Sequence, residues 1–108
     1  IGGVMAPLTA RETVLDWIAG AGLPAIVVSG SYLGALSHTL TAVSALKTRG
    51  VAIAGVVLSE SEQSPVPLGE QSAFLCDFLS GIPVVELPRL DPALNIWDQA
   101  PDLTALVG

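Results

Sequence analysis

Three apolar runs divide the chain, and stretches with helical spacing lie before, between and after them. The runs cover about residues 25–29, 52–58 and 83–87. The first two are continuously apolar rather than alternating, a pattern typical of strands that are covered on both faces in a parallel sheet. The sequence therefore predicts three parallel strands joined by right-handed helical crossovers.

Four helices are predicted around these strands from apolar residues three or four positions apart. Thr9 and Glu12 match a capping box, in which Thr9 accepts a hydrogen bond from the Glu12 N–H and Glu12 reaches back. The first helix should follow this pair and end near Gly20. The second should cover about 35–49, with an apolar stripe formed by Leu36, Leu40, Val43 and Leu46.

The remaining two helices follow the second and third strands. One is expected at about 69–79, with Phe74, Leu75 and Phe78 facing the core. The other is short and is expected at about 93–98, because Asp91-Pro92 supplies an N-cap and a proline in the first turn.

The alternation of helices and strands predicts an α/β fold, a parallel sheet flanked by helices. The 108 residues suffice for one domain with a single core. Strands this apolar are expected to have neighbours on both sides, and the chain opens on Ile1-Gly2-Gly3 with its first Met at position 5. We expect residues 1–108 to be a half-domain, with further strands from an N-terminal portion or another chain. A compact three-stranded domain is the alternative.

Composition excludes several classes of protein. The chain is 51% hydrophobic and 13% charged, which argues against disorder. Its net charge of −6 disfavours nucleic acid and anionic membranes as partners. The lone Cys76 excludes an internal disulfide and fits the cytoplasm. The uncharged stretch between Asp16 and Lys47 is broken by Pro24 and polar residues before it could span a membrane.

Candidate chemistry gathers where the strands end. Ligands of parallel sheets bind outside the carboxyl ends of the strands, where segments 30–37, 59–67 and 88–90 should meet. The first of these segments is a strand, a glycine-bearing turn and the first turn of a helix. Such a junction aims backbone N–H groups and the positive end of a helix dipole at one point, which suits an anionic group.

Side chains offer little chemistry of their own. The only lysine, Lys47, lies deep in a helix, so this chain cannot supply a Walker A loop. A structural imidazole bonded to backbone or to a neighbouring side chain is favoured for His38 over a catalytic one. A serine triad has no Gly-x-Ser-x-Gly elbow and no evident carboxylate, and Glu60 and Glu62 are solvated loop charges. We assign no catalytic residue and no metal ligand.

Five segments, in this order and spacing, resemble the C-terminal half of dethiobiotin synthetase. They are IGGVMAPL at 1–8, Leu23-Pro24 leading to Val28, GSYLGALSHTL at 30–40, AGVV at 54–57 and PVVELPRL at 83–90. The most distinctive is Leu33-Gly34-x-x-x-His38, which opens a helix after an apolar strand. The resemblance implies a P-loop NTPase-like fold and a homodimer that acts in biotin biosynthesis.

The resemblance also implies an activity. Members of the family close the cyclic urea of dethiobiotin from 7,8-diaminononanoate, carbon dioxide and ATP, with Mg²⁺. An amine forms a carbamate, ATP phosphorylates it, and the second amine displaces phosphate. Because the Walker A lysine is absent, we expect the isolated chain to be inactive.

Positions carried over from the family give candidate site residues. Backbone groups of Leu33, Gly34, Ala35 and Ser37 would hold the substrate carboxylate. Gly2 and Gly3 would follow a magnesium-binding glutamate that precedes Ile1, and the other ligands of Mg²⁺ would also lie in an N-terminal part. The nucleotide side would comprise Ser59, Leu87, Pro88 and Leu90.

The chain departs from the family pattern at Ser59 and Glu60, where many members have Asn-Asp, and at Arg89, where some have an aromatic residue. A serine lacks the paired donor and acceptor of an amide, so adenine selectivity is left open. Two other functions remain as alternatives. One is a related P-loop amidoligase or ATPase domain, and the other is a noncatalytic binding or assembly module.

Overall fold

The computed structural model describes residues 2–107, so Ile1 and Gly108 lie outside the described residues. Its three strands form one parallel sheet in the order β1-β2-β3. The elements are α1 (Val14–Ala21), β1 (Ala25–Ser29), α2 (Ala35–Thr48), β2 (Ile53–Ser59), α3 (Leu68–Phe78), β3 (Val84–Leu87), α4 (Ile96–Gln99) and a 3-10 turn at Thr104–Leu106. The predicted α/β fold and its parallel sheet are confirmed.

The main core lies between the sheet and the two crossover helices. Val56 and Leu58 of β2 are fully buried against Val43 of α2 and Leu75 of α3. Full burial of one such aliphatic side chain stabilises the fold by roughly 1.5–3 kcal/mol. Both crossover helices therefore lie on one face of the sheet, as right-handed connections between neighbouring parallel strands require. Their first turns consequently stand at the carboxyl edge of the sheet.

Coverage of the second face differs from the prediction. On β2 it is closed by the C-terminal turn, because Leu106 occupies the space that a side chain at Gly55 would fill. On β1, by contrast, Val28 remains 69% exposed and Ile26 is exposed as well. The expectation of strands covered on both faces is therefore right for β2 and wrong for β1 among the described residues.

Helix α1 begins later than the capping box suggested. Thr9 Oγ1 does accept the Glu12 N–H at 3.0 Å, as predicted, but this bond closes a loop rather than starting a helix. The reason is tertiary pairing, because the amides of Val14 and Leu15 donate to carbonyls of residues 6 and 4. The helix follows Thr13, whose N–H donates to the Asp16 carboxylate at 2.7 Å.

The last two helices also correct the sequence prediction. Phe74 and Phe78 do not face the core, since they are 43% and 60% exposed and stack with ring centroids 4.7 Å apart. Leu75 alone of the predicted three is buried. Helix α4 begins at Ile96 rather than near 93, because the Asp91 side chain caps the Ala93 amide within a preceding turn. Within residues 2–107, no helix combines the length and apolar character needed to cross a membrane.

Candidate functional site

The three strand ends meet at one rim, as the sequence predicted. Ser59 at the end of β2 lies opposite Leu87 at the end of β3. The next amide along, that of Glu60, donates to the Leu87 carbonyl at 2.9 Å. Two of the proposed nucleotide-side residues are thus direct neighbours across the sheet. Pro88 and Leu90 continue from the same strand end, Pro88 exposed and Leu90 half-buried.

A buried polar network ties the loops after β1 and β2 together. The Ser31 N–H donates to Ser61 Oγ at 3.0 Å, and the Ser61 N–H donates to Ser31 Oγ at 2.8 Å. The Gln71 amide of α3 donates to the Ser31 carbonyl at 3.1 Å. Sequence reasoning missed these three residues. The available signal was Gln71, a polar residue one helical turn before the buried Leu75 and on the same face of α3.

The turn after β1 has the conformation that only glycine adopts readily. Gly34 has a φ of 88° and directly precedes the first residue of α2. The His38 N–H donates to the Gly34 carbonyl at 3.1 Å, which starts the helical hydrogen bonds. Among residues 2–107, no acceptor is bonded to the amides of Leu33, Gly34, Leu36 and Ser37. Four N–H groups at the positive end of a 14-residue helix therefore remain available to an anion.

Ala35 differs from the other residues assigned to the carboxylate, because its N–H group already has a hydrogen-bond partner. Its N–H donates to the Tyr32 carbonyl at 3.0 Å, and the residue is buried. The Ala35 amide is therefore engaged within the turn, whereas the neighbouring Leu36 amide, which sequence reasoning did not name, is not.

Tyr32 and His38 flank this turn. The Tyr32 hydroxyl lies 2.9 Å from Nδ1 of His38, so the imidazole is bonded to a neighbouring side chain, as favoured from the sequence. Both side chains line a cavity of about 650 Å³ at the end of β1, together with Gly2, Gly3 and Gly30. Gly2 and Gly3 thus lie beside the β1 turn, whereas Ser59 and Leu87 do not line this cavity.

The charged side chains of the rim lie outside the glycine turn, with Glu60 and Glu62 after β2 and Arg89 after β3. The described residues contain no cluster of three His, Cys, Asp or Glu side chains that could hold a metal ion. The carboxylates with a lowered pKa are Asp16, hydrogen-bonded by Thr13 and paired with Arg49, and Asp102, hydrogen-bonded by the Thr104 hydroxyl and amide. Neither lies on the turn or on the strand ends. Residues 30–37 carry no charged side chain, so attraction for an anion at this turn comes from backbone dipoles.

Comparison with known proteins assigns the chain to a family. A family model described as "AAA domain" matches residues 1–94. An ATP-dependent dethiobiotin synthetase of Acidiphilium cryptum is 47% identical over 97 residues, which are 90% of this chain and 44% of that protein. Synthetases of the same name from Phenylobacterium zucineum and a Caulobacter species are 46% and 48% identical, each over 82% of this chain and 38% of the relative. The chain therefore spans less than half the length of these curated relatives.

Proposed function

Since the chain belongs to the AAA domain family and its curated relatives are dethiobiotin synthetases, we propose that it is the substrate-carboxylate and nucleotide-base part of such an enzyme. The family match and the identity to the synthetases support the resemblance seen in the sequence. The observation that carries the site is the turn at Gly34, where four unengaged amides open a long helix.

In this proposal the complete enzyme acts on 7,8-diaminononanoate, carbon dioxide and ATP. One amine of the substrate takes up carbon dioxide as a carbamate, a phosphate from ATP activates the carbamate, and the second amine closes the urea and releases phosphate. The amines lie at one end of the substrate and the carboxylate at the other. Residues that hold the carboxylate therefore fix the distance of the amines from the nucleotide without touching the reacting atoms.

The Gly34 turn is suited to the carboxylate end. Amides of Leu33, Gly34, Leu36 and Ser37 are the donors, and the helix dipole adds to their attraction. Ala35 contributes by holding the turn through its bond to the Tyr32 carbonyl. These contacts are made equally in the ground state and the transition state, so their loss should raise KM more than it lowers kcat.

The nucleotide would lie along the same rim. In this proposal Ser59, Leu87, Pro88 and Leu90 flank the base, which is supported by the pairing of Ser59 with Leu87 at the ends of β2 and β3. Gly2 and Gly3, which line the cavity at the end of β1, would face the phosphates. Residues 2–107 contain no group of three His, Cys, Asp or Glu side chains that could hold a metal ion, and in this proposal the ligands of Mg²⁺ come from a part of the enzyme outside this chain.

A homodimer and a cytoplasmic location belong to the same proposal. The stripe from Leu36 to Leu46 packs inward against the sheet, so it is not free to pair with a second copy. The turn before α2 is free, since Leu33 is 85% exposed at its apex. We place the contact between copies at this turn, and sedimentation of wild-type protein and Leu33→Asp at micromolar concentration would test it.

A chimera tests the function. Grafting this chain in place of the 97 matched residues of the Acidiphilium cryptum synthetase should give an enzyme that forms dethiobiotin from 7,8-diaminononanoate, bicarbonate and MgATP. The 108-residue chain alone is the matched control and should form neither dethiobiotin nor ADP. A chimera that is folded by circular dichroism and binds ATP, yet makes no dethiobiotin, would overturn the proposal.

A further inference from the structure

The side chain of Tyr32 reaches across the turn to the helix. Its hydroxyl lies 2.9 Å from Nδ1 of His38, six residues further along the chain. The segment between the two partners contains Gly34 and the unengaged amides. A neutral imidazole with its proton on Nε2 presents Nδ1 as an acceptor, which matches the hydroxyl as donor. The bond therefore closes a bridge over the segment that would bind the carboxylate.

The ring of Tyr32 is also held from the opposite side. A side chain at Gly30 would place its Cβ 2.7 Å from Cδ1 and 2.8 Å from Cε1 of the ring. Such distances are below any ordinary contact, so the ring lies directly on the glycine backbone. Tyr32 lines both the cavity at the end of β1 and a second one of about 640 Å³ beside Leu33 and the loop after β2. Tyr32 thus belongs to the lining of both cavities.

The backbone of the turn has few other restraints. A Cβ at Gly34 would find no atom nearer than Cε1 of His38, at 4.0 Å. Glycine has more backbone freedom than any other residue, so an unrestrained Gly34 could turn the adjacent amides away from a common point. Two backbone hydrogen bonds hold the turn, from the Ala35 N–H to the Tyr32 carbonyl and from the His38 N–H to the Gly34 carbonyl. The side-chain bond between Tyr32 and His38 links the two residues that flank it.

We propose that Tyr32 and His38 are positioning residues, whose mutual hydrogen bond keeps the Gly34 turn in the conformation that presents its amides to the substrate carboxylate. This inference rests on the proposed function. Neither side chain needs to touch the substrate, because the effect is transmitted through the backbone of residues 33–37. Binding of a carboxylate should then depend on the bridge even though the donors are main-chain groups.

Titration of the 108-residue chain with nonanoate, followed by amide NMR, tests the bridge. Tyr32→Phe and His38→Ala should each weaken binding about two- to tenfold, the range expected for one neutral hydrogen bond. His38→Asn should restore most of the affinity, because its Oδ1 lies close to the position of Nδ1. The double variant Tyr32→Phe/His38→Ala should bind no more weakly than either single variant. Thr48→Val, which removes a hydroxyl at the far end of α2, is the matched control and should bind like wild type.

The outcomes separate the bridge from the site. If wild type binds nonanoate and Tyr32→Phe binds it equally well, the proposed role of the Tyr32–His38 bond is wrong, whereas the carboxylate site itself is supported. Additive losses in the double variant would also overturn the bridge, since the two residues would then act independently. If wild type does not bind nonanoate, the carboxylate site fails and this inference fails with it. Should a variant not fold, ring-to-ring NOEs in wild type decide, because their absence would contradict the 5.8 Å separation of the two rings.

Discussion

Ser31 and Ser61 exchange two hydrogen bonds, in which each backbone N–H donates to the side-chain oxygen of the other residue. The pair joins the loop after β1 to the loop after β2, across 30 positions of sequence. Ser31 is completely buried and Ser61 is half-buried, so both bonds are partly shielded from water. The rim that carries the candidate site is therefore fixed by side-chain bonds as well as by the sheet.

Removing one hydroxyl of this pair should destabilise the protein. Ser61→Ala leaves the buried Ser31 N–H without its acceptor, which should cost about 1–3 kcal/mol of the free energy of unfolding. Urea denaturation measures the change. Ser80→Ala, at an exposed serine beyond α3, should change stability by less than about 0.5 kcal/mol. Equal effects of the two substitutions would show that the reciprocal bonds contribute nothing.

Alanine substitutions at two glycines should change the stability of the protein in opposite directions. At Gly30, an added Cβ would lie 2.7 Å from the Tyr32 ring and 2.8 Å from Ser61 Oγ, so Gly30→Ala should destabilise by about 1–3 kcal/mol. At Gly20, in the last turn of α1, an added Cβ meets nothing within 4 Å. Gly20→Ala should therefore stabilise by about 0.5–1 kcal/mol through lower backbone entropy of the unfolded chain. A stabilising Gly30→Ala would mean that the Tyr32 ring does not rest on this glycine.

Acid should weaken the contact between α1 and α2. The pKa of Asp16 is lowered to about 2, first by the Thr13 N–H and then by Arg49, whose guanidinium lies 2.6 Å away. A carboxylate with a lowered folded-state pKa stabilises the fold above its ordinary pKa of about 3.9, and this stabilisation is lost as the pH falls toward about 2. Stability measured between pH 6 and 2 should thus fall less steeply in Asp16→Asn than in wild type. A wild-type slope in Asp16→Asn would contradict the assignment.

The left-handed conformation of Gly34 gives a kinetic prediction for the chimeric enzyme. Gly34→Val should raise KM for 7,8-diaminononanoate about tenfold, because a β-branched residue resists the φ of 88° that aims the amides. KM for ATP should stay nearly unchanged. Gly34→Asn is the matched control, since asparagine tolerates this conformation, and it should retain a KM close to that of wild type. A Gly34→Val chimera that folds and keeps its KM would place the carboxylate elsewhere.

Local patterns in the sequence located most of the fold. β1 was predicted with its observed bounds, because its apolar run is enclosed by Pro24 and Gly30. The start of α1 was misplaced because the amide of Val14 pairs with a distant backbone carbonyl, which no local pattern reveals. Phe74 and Phe78 were assigned to the core with Leu75 from their spacing, but the buried side of α3 is formed by Gln71, Ser72 and Leu75, and the two phenylalanines lie at its edge.

The sequence predicted the local backbone of the candidate site, a strand, a glycine turn and a helix, but not the contacts between distant residues. The glycine turn before α2 could be predicted from the sequence, because Gly30 and Gly34 stand between a strand pattern and a helical pattern. The reciprocal bonds of Ser31 and Ser61 could not be predicted, because no local sequence pattern indicates a contact between two serines 30 positions apart. Engagement of the Ala35 amide also depends on the exact fold of the turn, which sequence spacing does not specify.

Binding of the substrate carboxylate to the turn is tested most directly by NMR of the ¹⁵N-labelled chain during titration with 7,8-diaminononanoate. The matched control ligand is 2,3-diaminooctane, which keeps the two amines and lacks the carboxylate. We predict saturable downfield shifts of the Gly34, Leu36 and Ser37 amide protons with the diamino acid, and no such shifts with the diamine, because only an anion accepts from these donors. Unchanged amides at these three positions under saturating diaminononanoate, or equal shifts with both ligands, would contradict a carboxylate site at this turn.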